Sequence, residues 1–383
     1  MINRRQFLVQ AAGWAAAAAA TRGSLAKPPK PPAGKAPPPA PDHTLTVISG
    51  TPRERGRQYG RQFKNEIRAF LEQEIYGPFA KNPPRREDLL RYAAQCMKPI
   101  ARQAPIVMEE LQGMAESSGL KLEEQVAVTC HEEFWHRGVL PAPDHCTAIA
   151  CGPPDTNDGN TYVGQNWDWM GRLYGLSRVL LWKRPEGPSV ISYAYPGLWI
   201  GAGMNSAGIA LCWTSTPSEG IPGPRVGLPS YVLIAQMLYQ DTLEAAVEVA
   251  RRSGHAGWFT FVLADGHGRL ANVVGSPREM AVEWGRGHMA RVYFGTAQMT
   301  HTPPGKPIKR HPQCQRMLDL LAGSKGRLDR PTLQGFFGDH ESTICKHYGT
   351  LDSMLFNTAK REAYVSRGPG CSGRWRRFTF ADG

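Results

Sequence analysis

Cys146 is the residue of this sequence whose place along the chain most suggests chemistry. It follows Pro141-Ala142-Pro143 and opens the apolar run 146–151, where a helical pattern gives way to short strand-like segments. Were the His145–Cys146 bond cut, one residue would carry both a thiol and an α-amine. Such an amine has an unperturbed pKa of about 7.7–8.0, so it can act as a base near neutral pH without a catalytic His. A buried structural cysteine is the commoner fate of a lone thiol, and both readings stand at this level.

Other constellations are weaker. His131-Glu132-Glu133-Phe134-Trp135-His136 has the residue types of a zinc protease, but that motif needs two His four apart on one helix face. Five residues at 100° each put these two about 140° apart, so a capped helix surface is expected. Gly201-Ala202-Gly203 lacks the third glycine of a dinucleotide loop, and no GxxxxGK[ST] occurs. Residues 197–208 read instead as turns and tight strand packing. Arg374, Arg376 and Arg377 alternate with Trp375 and Phe378, the pattern of a strand with a solvated basic face. Eight cysteines show neither CxxC pairing nor regular spacing, so neither a zinc ribbon nor a small disulfide scaffold is indicated.

The elements that must position Cys146 fall into two halves. Residues 51–135 have helical periodicity: Ile67, Phe70, Leu71 and Ile75 recur at helix spacing, as do Met108, Leu111 and Met114. Gly119 is a C-terminal stop, Pro99 and Pro105 are expected to break the middle, and 122–135 reads as one further helix. Strand-like runs follow at 146–151, 162–169, 179–182, 190–195 and 209–214. Helices are expected at 231–239 and at 242–253, the latter with Asp241 and Glu244 as a capping box. Strands resume at 258–264, 270–274, 280–284 and 291–295. Helices at 313–321 and 331–337 precede closing strands at 354–357, 362–365 and 375–380. This alternation suggests sheets with helices on their outer faces.

Ahead of this, Asn3-Arg4-Arg5-Gln6-Phe7-Leu8, an Ala-rich run ending at Ala20, and Ser24-Leu25-Ala26 have the layout of a twin-arginine export signal over residues 1–26. Residues 27–42 form a Pro-rich tether. The expected location is therefore periplasmic or extracellular, with no stable membrane insertion after signal removal. At 383 residues, 41% hydrophobic and 20% charged, the chain is neither disordered nor a polytopic membrane protein. The formal charge of +12 falls to +9 if Arg4, Arg5 and Arg22 leave with the signal. The remaining basic residues are scattered, which argues against a nucleic-acid partner.

Six segments together resemble the acyl-CoA:6-aminopenicillanic-acid acyltransferase-like family of N-terminal nucleophile (Ntn) hydrolases. Gly50-Thr51-Pro52-Arg53-Glu54-Arg55-Gly56, continuing to Gly60, is similar to the family's opening segment. Glu110-Leu111-Gln112-Gly113-Met114-Ala115-Glu116-Ser117-Ser118-Gly119 is similar to a family helix. His145-Cys146-Thr147 resembles its processing site, and Gly164-Gln165-Asn166-Trp167-Asp168-Trp169 its most recognisable hexapeptide. Gly203-Met204-Asn205-Ser206-Ala207-Gly208 resembles a strand turn, and Ser342-Thr343-Ile344-Cys345-Lys346-His347 a late signature. Each is weak alone; six in order are specific.

The resemblance implies an α+β fold, a four-layer αββα sandwich with an N-terminal helical segment, and self-cleavage between His145 and Cys146. Residues 43–145 would form a helical subunit and 146–383 the catalytic one, each the other's partner. Cys146 would attack a small-molecule amide or acyl donor and form a thioester, with no cofactor and no metal. Asp168 would hold the new Cys146 amine. For the oxyanion, His301 stands where relatives place an Asn, and Thr214 or Ser215 at a second such point; Asn166 belongs to the same pocket. A family Ser-Arg pair falls on Pro312-Gln313, with Arg316 one turn on as its substitute. Two other readings stay open: an Ntn-fold binding or structural protein with impaired catalysis, and an uncleaved thiol hydrolase.

Overall fold

The computed structural model describes residues 41–80, 84–135, 146–214, 216, 224–295, 310–347 and 349–383. The expected signal and almost all of the tether lie outside these residues, as do His145, Ser215 and His301.

Helices come first. They are α1 (Pro52–Gln62), α2 (Lys64–Phe70), α3 (Arg86–Gln103), α4 (Pro105–Ser118), α5 (Leu122–Thr129) and α6 (His131–Trp135). The apolar positions named from spacing are buried, and α4 ends at Gly119 with φ 72°. Pro99 does not break α3, because the buried stripe Leu89, Tyr92, Ala93, Cys96 and Ile100 carries the helix through it. Pro105 opens α4, where a missing N–H costs nothing. The run 122–135 is two helices, since Cys130 leaves helical geometry at ψ 13°.

α1 and α4 cross at backbone contact. A methyl group on Gly56 would lie 2.1 Å from the Glu110 carbonyl oxygen, and one on Gly113 would lie 2.2 Å from that of Arg53. The first two recognised segments therefore meet in a single interface. Inside it the buried Glu110 carboxylate accepts hydrogen bonds from Arg55 Nη2 at 2.6 Å, Trp182 Nε1 at 2.9 Å and the Tyr239 hydroxyl at 2.7 Å. That carboxylate ties the N-terminal helices to the strands and helices that follow.

The strands are β1 (Leu45–Ile48), β2 (Thr147–Cys151), β3 (Tyr162–Asp168), β4 (Arg178–Trp182), β5 (Val190–Ala194), β6 (Ala202–Asn205), β7 (Ala210–Thr214), β8 (Phe259–Ala264), β9 (Leu270–Gly275), β10 (Met280–Gly285), β11 (His288–Arg291), β12 (Thr350–Asn357), β13 (Glu362–Arg367) and β14 (Trp375–Thr379). One sheet runs β1-β4-β5-β6-β7-β8-β9-β10, and the other β11-β2-β3-β12-β13-β14. Only β1 and β4 pair in parallel among the described ladders. The short strands β1 and β6 are not apparent in the sequence, and the strand expected at 291–295 lies earlier, at β11. β14 has the expected basic face, with Arg376 and Arg377 exposed and Phe378 buried.

The two sheets pack face to face through β2 and β3 against β7 and β8. Helices α7 (Ser230–Leu238) and α8 (Leu243–Arg252) cover the first sheet. Helices α9 (Pro312–Gly323) and α10 (Arg330–Phe336) cover the second. The four-layer αββα arrangement is the one expected from the sequence. The cap of α8 differs: Thr242 accepts from the Ala245 N–H at 3.2 Å, while Glu244 is drawn to Arg269. No described helix is long and apolar enough to cross a membrane.

α6 is not the surface helix expected. All five of its residues are buried. Burial pushes His131 down to about 3, Glu132 up to about 8 and Glu133 up to about 7. Both acids are thus neutral in the fold at pH values where an unfolded Glu, near pKa 4.3, is ionised. Between about pH 4.5 and 8 the native state binds more protons at these sites, so their contribution to stability is lost as pH rises. Relative to wild type, Glu132→Gln should gain thermal midpoint between pH 5 and pH 8; a constant offset would contradict a neutral buried acid. At the helix crossing, Gly113→Ala should destabilise by about 1–3 kcal/mol from overpacking, despite a gain of about 1 kcal/mol in helix propensity. Urea unfolding measures this, and an unchanged midpoint would mean the two helices part freely.

Candidate functional site

β3 sets the site by alternation. Gln165 and Trp167 face the gap between the sheets, whereas Asn166 and Asp168 face the layer that holds α9 and α10. Cys146 immediately precedes β2, where Thr147 registers with Asn166 and Ala148 with Gln165. Its side chain falls on the inner side, against a small, largely apolar cavity. Trp167, Trp169, Tyr195, Trp213 and Tyr231 make the aromatic wall. Cys146, Gln165 and Thr214 supply its strand-borne polar groups, and α6 contributes His131 and Glu132. Trp167 meets Trp213 edge-on at 5.8 Å and Tyr195 at 5.7 Å, so the rings lock one another.

The Cys146 sulfur is 3.5 Å from the Asp168 carbonyl oxygen, to which it donates. The Cys146 carbonyl accepts from Thr214 Oγ1 at 3.0 Å, and Thr214 Oγ1 in turn accepts from the Tyr293 N–H at 3.3 Å. Burial, and then the Asp168 charge, pushes the thiol up to about 12. In the uncut chain the sulfur is therefore protonated at neutral pH, and the Cys146 nitrogen is an amide with no basicity.

The Asp168 carboxylate is fully buried. It accepts from Lys346 Nζ at 2.5 Å and from Thr350 Oγ1 at 2.6 Å. Thr350 is its cross-strand partner on β12, and Lys346 comes from the loop ahead of β12. Gln313 on α9 joins the group: its Nε2 donates to Thr147 Oγ1, and its Oε1 accepts from Lys346 Nζ at 3.4 Å. Gln313, read from the sequence as the gap left by a missing Ser-Arg pair, thus reaches the cluster itself.

Two expected pocket residues lie elsewhere. Asn166 points outward and donates to the carbonyls of Phe337 and Ile344, both at 2.9 Å, while accepting from Ser353 Oγ at 2.6 Å. One step of strand alternation separates it from the cavity. Arg316 pairs with Asp339 at 2.7 Å and Glu341 at 3.0 Å, because acids stand nearer to it than the cavity does. Cys146, Asp168 and Thr214 do come together.

The sequence reading missed Gln165, Lys346 and the α6 residues. Gln165 and Lys346 lie within recognised segments, but which side chain faces inward depends on register. Four buried polar atoms of the cavity residues have no hydrogen-bond partner: His131 Nδ1, Gln165 Nε2, Trp169 Nε1 and the Tyr195 hydroxyl. A ligand with polar atoms seated in this cavity would meet these donors and acceptors.

Residues 155–302 match the family model described as acyl-coenzyme A:6-aminopenicillanic acid acyl-transferase. The chain is also similar to the 40 kDa form of acyl-coenzyme A:6-aminopenicillanic-acid acyltransferase from Emericella nidulans, 25% identical over 339 residues. That alignment covers 84% of this chain and 92% of the relative. Among solved structures, penicillin V acylase from Agrobacterium tumefaciens is 12% identical with a TM-score of 0.39, covering 58% of this chain and 82% of its own. A variant of conjugated bile acid hydrolase from Clostridium perfringens is 12% identical with a TM-score of 0.40, covering 61% and 97%. The chain thus resembles the acyl-coenzyme A:6-aminopenicillanic acid acyl-transferases over residues 155–302 and, at 25% identity, the Emericella protein along most of both chains.

Proposed function

We propose that this protein is a self-processing cysteine amidohydrolase or acyltransferase that acts on linear amides or acyl-amines through a thioester on Cys146. One juxtaposition carries the reading: a buried thiol faces an aromatic cavity and donates to the backbone carbonyl of Asp168, whose carboxylate is itself buried. Cleavage before Cys146 converts its amide nitrogen to an amine beside the thiol. That amine takes the thiol proton, and the thiolate attacks the substrate carbonyl. The tetrahedral intermediate collapses to a thioester and expels the amine product, which receives the proton back. Water or a second amine then attacks the thioester and frees Cys146. Asp168, held by Lys346 and Thr350, orients the new amine.

Gln165 supplies an oxyanion donor. Its Oε1 accepts from the Trp213 N–H at 2.9 Å, which fixes the amide orientation. The buried Nε2 is left without a partner, and the Gln165 side chain lies beside the Cys146 sulfur. A donor fixed in a buried, largely apolar cavity suits a charge that develops only in the transition state. The aromatic wall favours a compact apolar acyl group, with a polar atom answering His131 Nδ1 or the Tyr195 hydroxyl. Export by the leader, with the mature chain starting near Lys27, belongs to the same proposal.

Purified protein should separate on denaturing electrophoresis into fragments of roughly 12–13 and 26–27 kDa, from the position of the cut in a 42.2 kDa chain. The larger should begin Cys-Thr-Ala-Ile. Cys146→Ala should abolish both cleavage and turnover; one intact wild-type band would favour a non-catalytic or uncleaved protein. Gln165→Leu should keep the cavity packed and lower kcat by about 10²–10³-fold. An unchanged kcat on a chromogenic amide would remove Gln165 from the mechanism.

A further inference from the structure

The recognised segment ending at His347 contains more than the proposed reaction uses. Between α10 and β12, His340 and His347 turn their Nε2 atoms toward each other at 2.9 Å, with ring centroids 4.8 Å apart and planes at 85°. Cys371, from the loop joining β13 to β14, brings its sulfur to 3.4 Å from the same His347 nitrogen. The three ligand atoms lie within 4.8 Å of one another. Cys345, one residue before Lys346, has its thiol against Cys371.

These separations can be set against a tetrahedral zinc site. Zn–N bonds of about 2.0–2.1 Å and Zn–S bonds of about 2.3 Å give tetrahedral edges near 3.3 Å for N···N and 3.6 Å for N···S. The two His nitrogens would part by about half an ångström, and the widest separation in the group, up to 4.8 Å, would close by about an ångström to admit the ion. The backbone is bent to bring them together. Ser342 and Thr343, both between the two His, sit in the left-handed region at φ 53° and φ 61°, a conformation that costs a β-branched residue most. Gly370 keeps the Cys371 loop close to the end of α10, since a methyl group there would lie 2.7 Å from the Phe337 carbonyl oxygen.

We propose that His340, His347 and Cys371 bind a borderline-soft divalent cation such as Zn²⁺, with the fourth position open to solvent. Two imidazoles and a thiol are ligands such ions prefer, and binding would draw off the thiol proton. The site is separate from the cavity and its assignment does not depend on the proposed reaction. Its placement has a consequence. His347 directly follows Lys346, whose Nζ holds Asp168, so a bound ion would stiffen the loop that supplies this partner.

The test uses the full, untagged chain, reduced and stripped of metal. Titration with Zn²⁺ against a chromophoric chelator should show one ion per chain. Co²⁺ should give the intense visible and near-ultraviolet bands of tetrahedral thiolate ligation. Cys371→Ser and His340→Ala, both at exposed positions of the cluster, should each weaken binding at least tenfold while circular dichroism stays unchanged. Zn²⁺ should also raise the wild-type thermal midpoint but not that of Cys371→Ser. Absence of stoichiometric binding, or binding untouched by both substitutions, would overturn the assignment. So would a Cys345–Cys371 disulfide that forms in air and persists in the presence of Zn²⁺.

Discussion

The buried pair of Asp168 and Lys346 is the constraint around which the rest of the site is arranged. A carboxylate with no solvent exposure is costly unless it is paired and hydrogen-bonded, and here both oxygens are engaged. Lys346 reaches one and Thr350 the other. This fixes the end of β3, the register of β12 beside it and the loop after α10 in one arrangement. Loss of the Lys346 ammonium would leave the charge uncompensated, which typically costs about 3–5 kcal/mol. The loop is thus anchored from the inside.

The same strand end then separates two environments by alternation alone. Outward side chains of β3 meet polar partners and the carbonyls of the covering layer, while inward ones meet indole and phenol rings. Cys146 belongs to the inner set. Its thiol has no cation close enough to offset burial and the Asp168 charge, so it stays protonated in the continuous chain. The geometry therefore pairs a poorly ionised sulfur with a nitrogen that gains basicity only if the chain is cut. An apolar, buried cavity is unfavourable for a resting thiolate and favourable for a preorganised dipole such as the Gln165 amide.

The distant N-terminal segments have a packing explanation. The glycines of α1 and α4 let two backbones touch, and Glu110 sits at that crossing with Arg55, Trp182 and Tyr239 around it. These residues are far from the thiol in sequence and lie outside its cavity. Their role is to seat the helical half against the strands, and with it α6, whose His131 and Glu132 line the cavity.

Local chemistry was enough to read much of this from the residues. Helical spacing in 51–135, strand-like runs bounded by turns after 146, the Gly119 stop and the prominence of Cys146 follow from nearest-neighbour patterns, which persist in any fold. Pro99 and the break at Cys130 did not follow, because packing of a whole helix face outweighs one residue's preference. Asn166 and Gln165 are adjacent in sequence, yet one braces the outer layer and the other faces the thiol. Lys346 lies 178 residues from Asp168, and no local rule links them. Which residues carry chemistry was legible in type and order; which of them share one cavity was decided by strand register and sheet packing, since those alone bring distant side chains within hydrogen-bond reach.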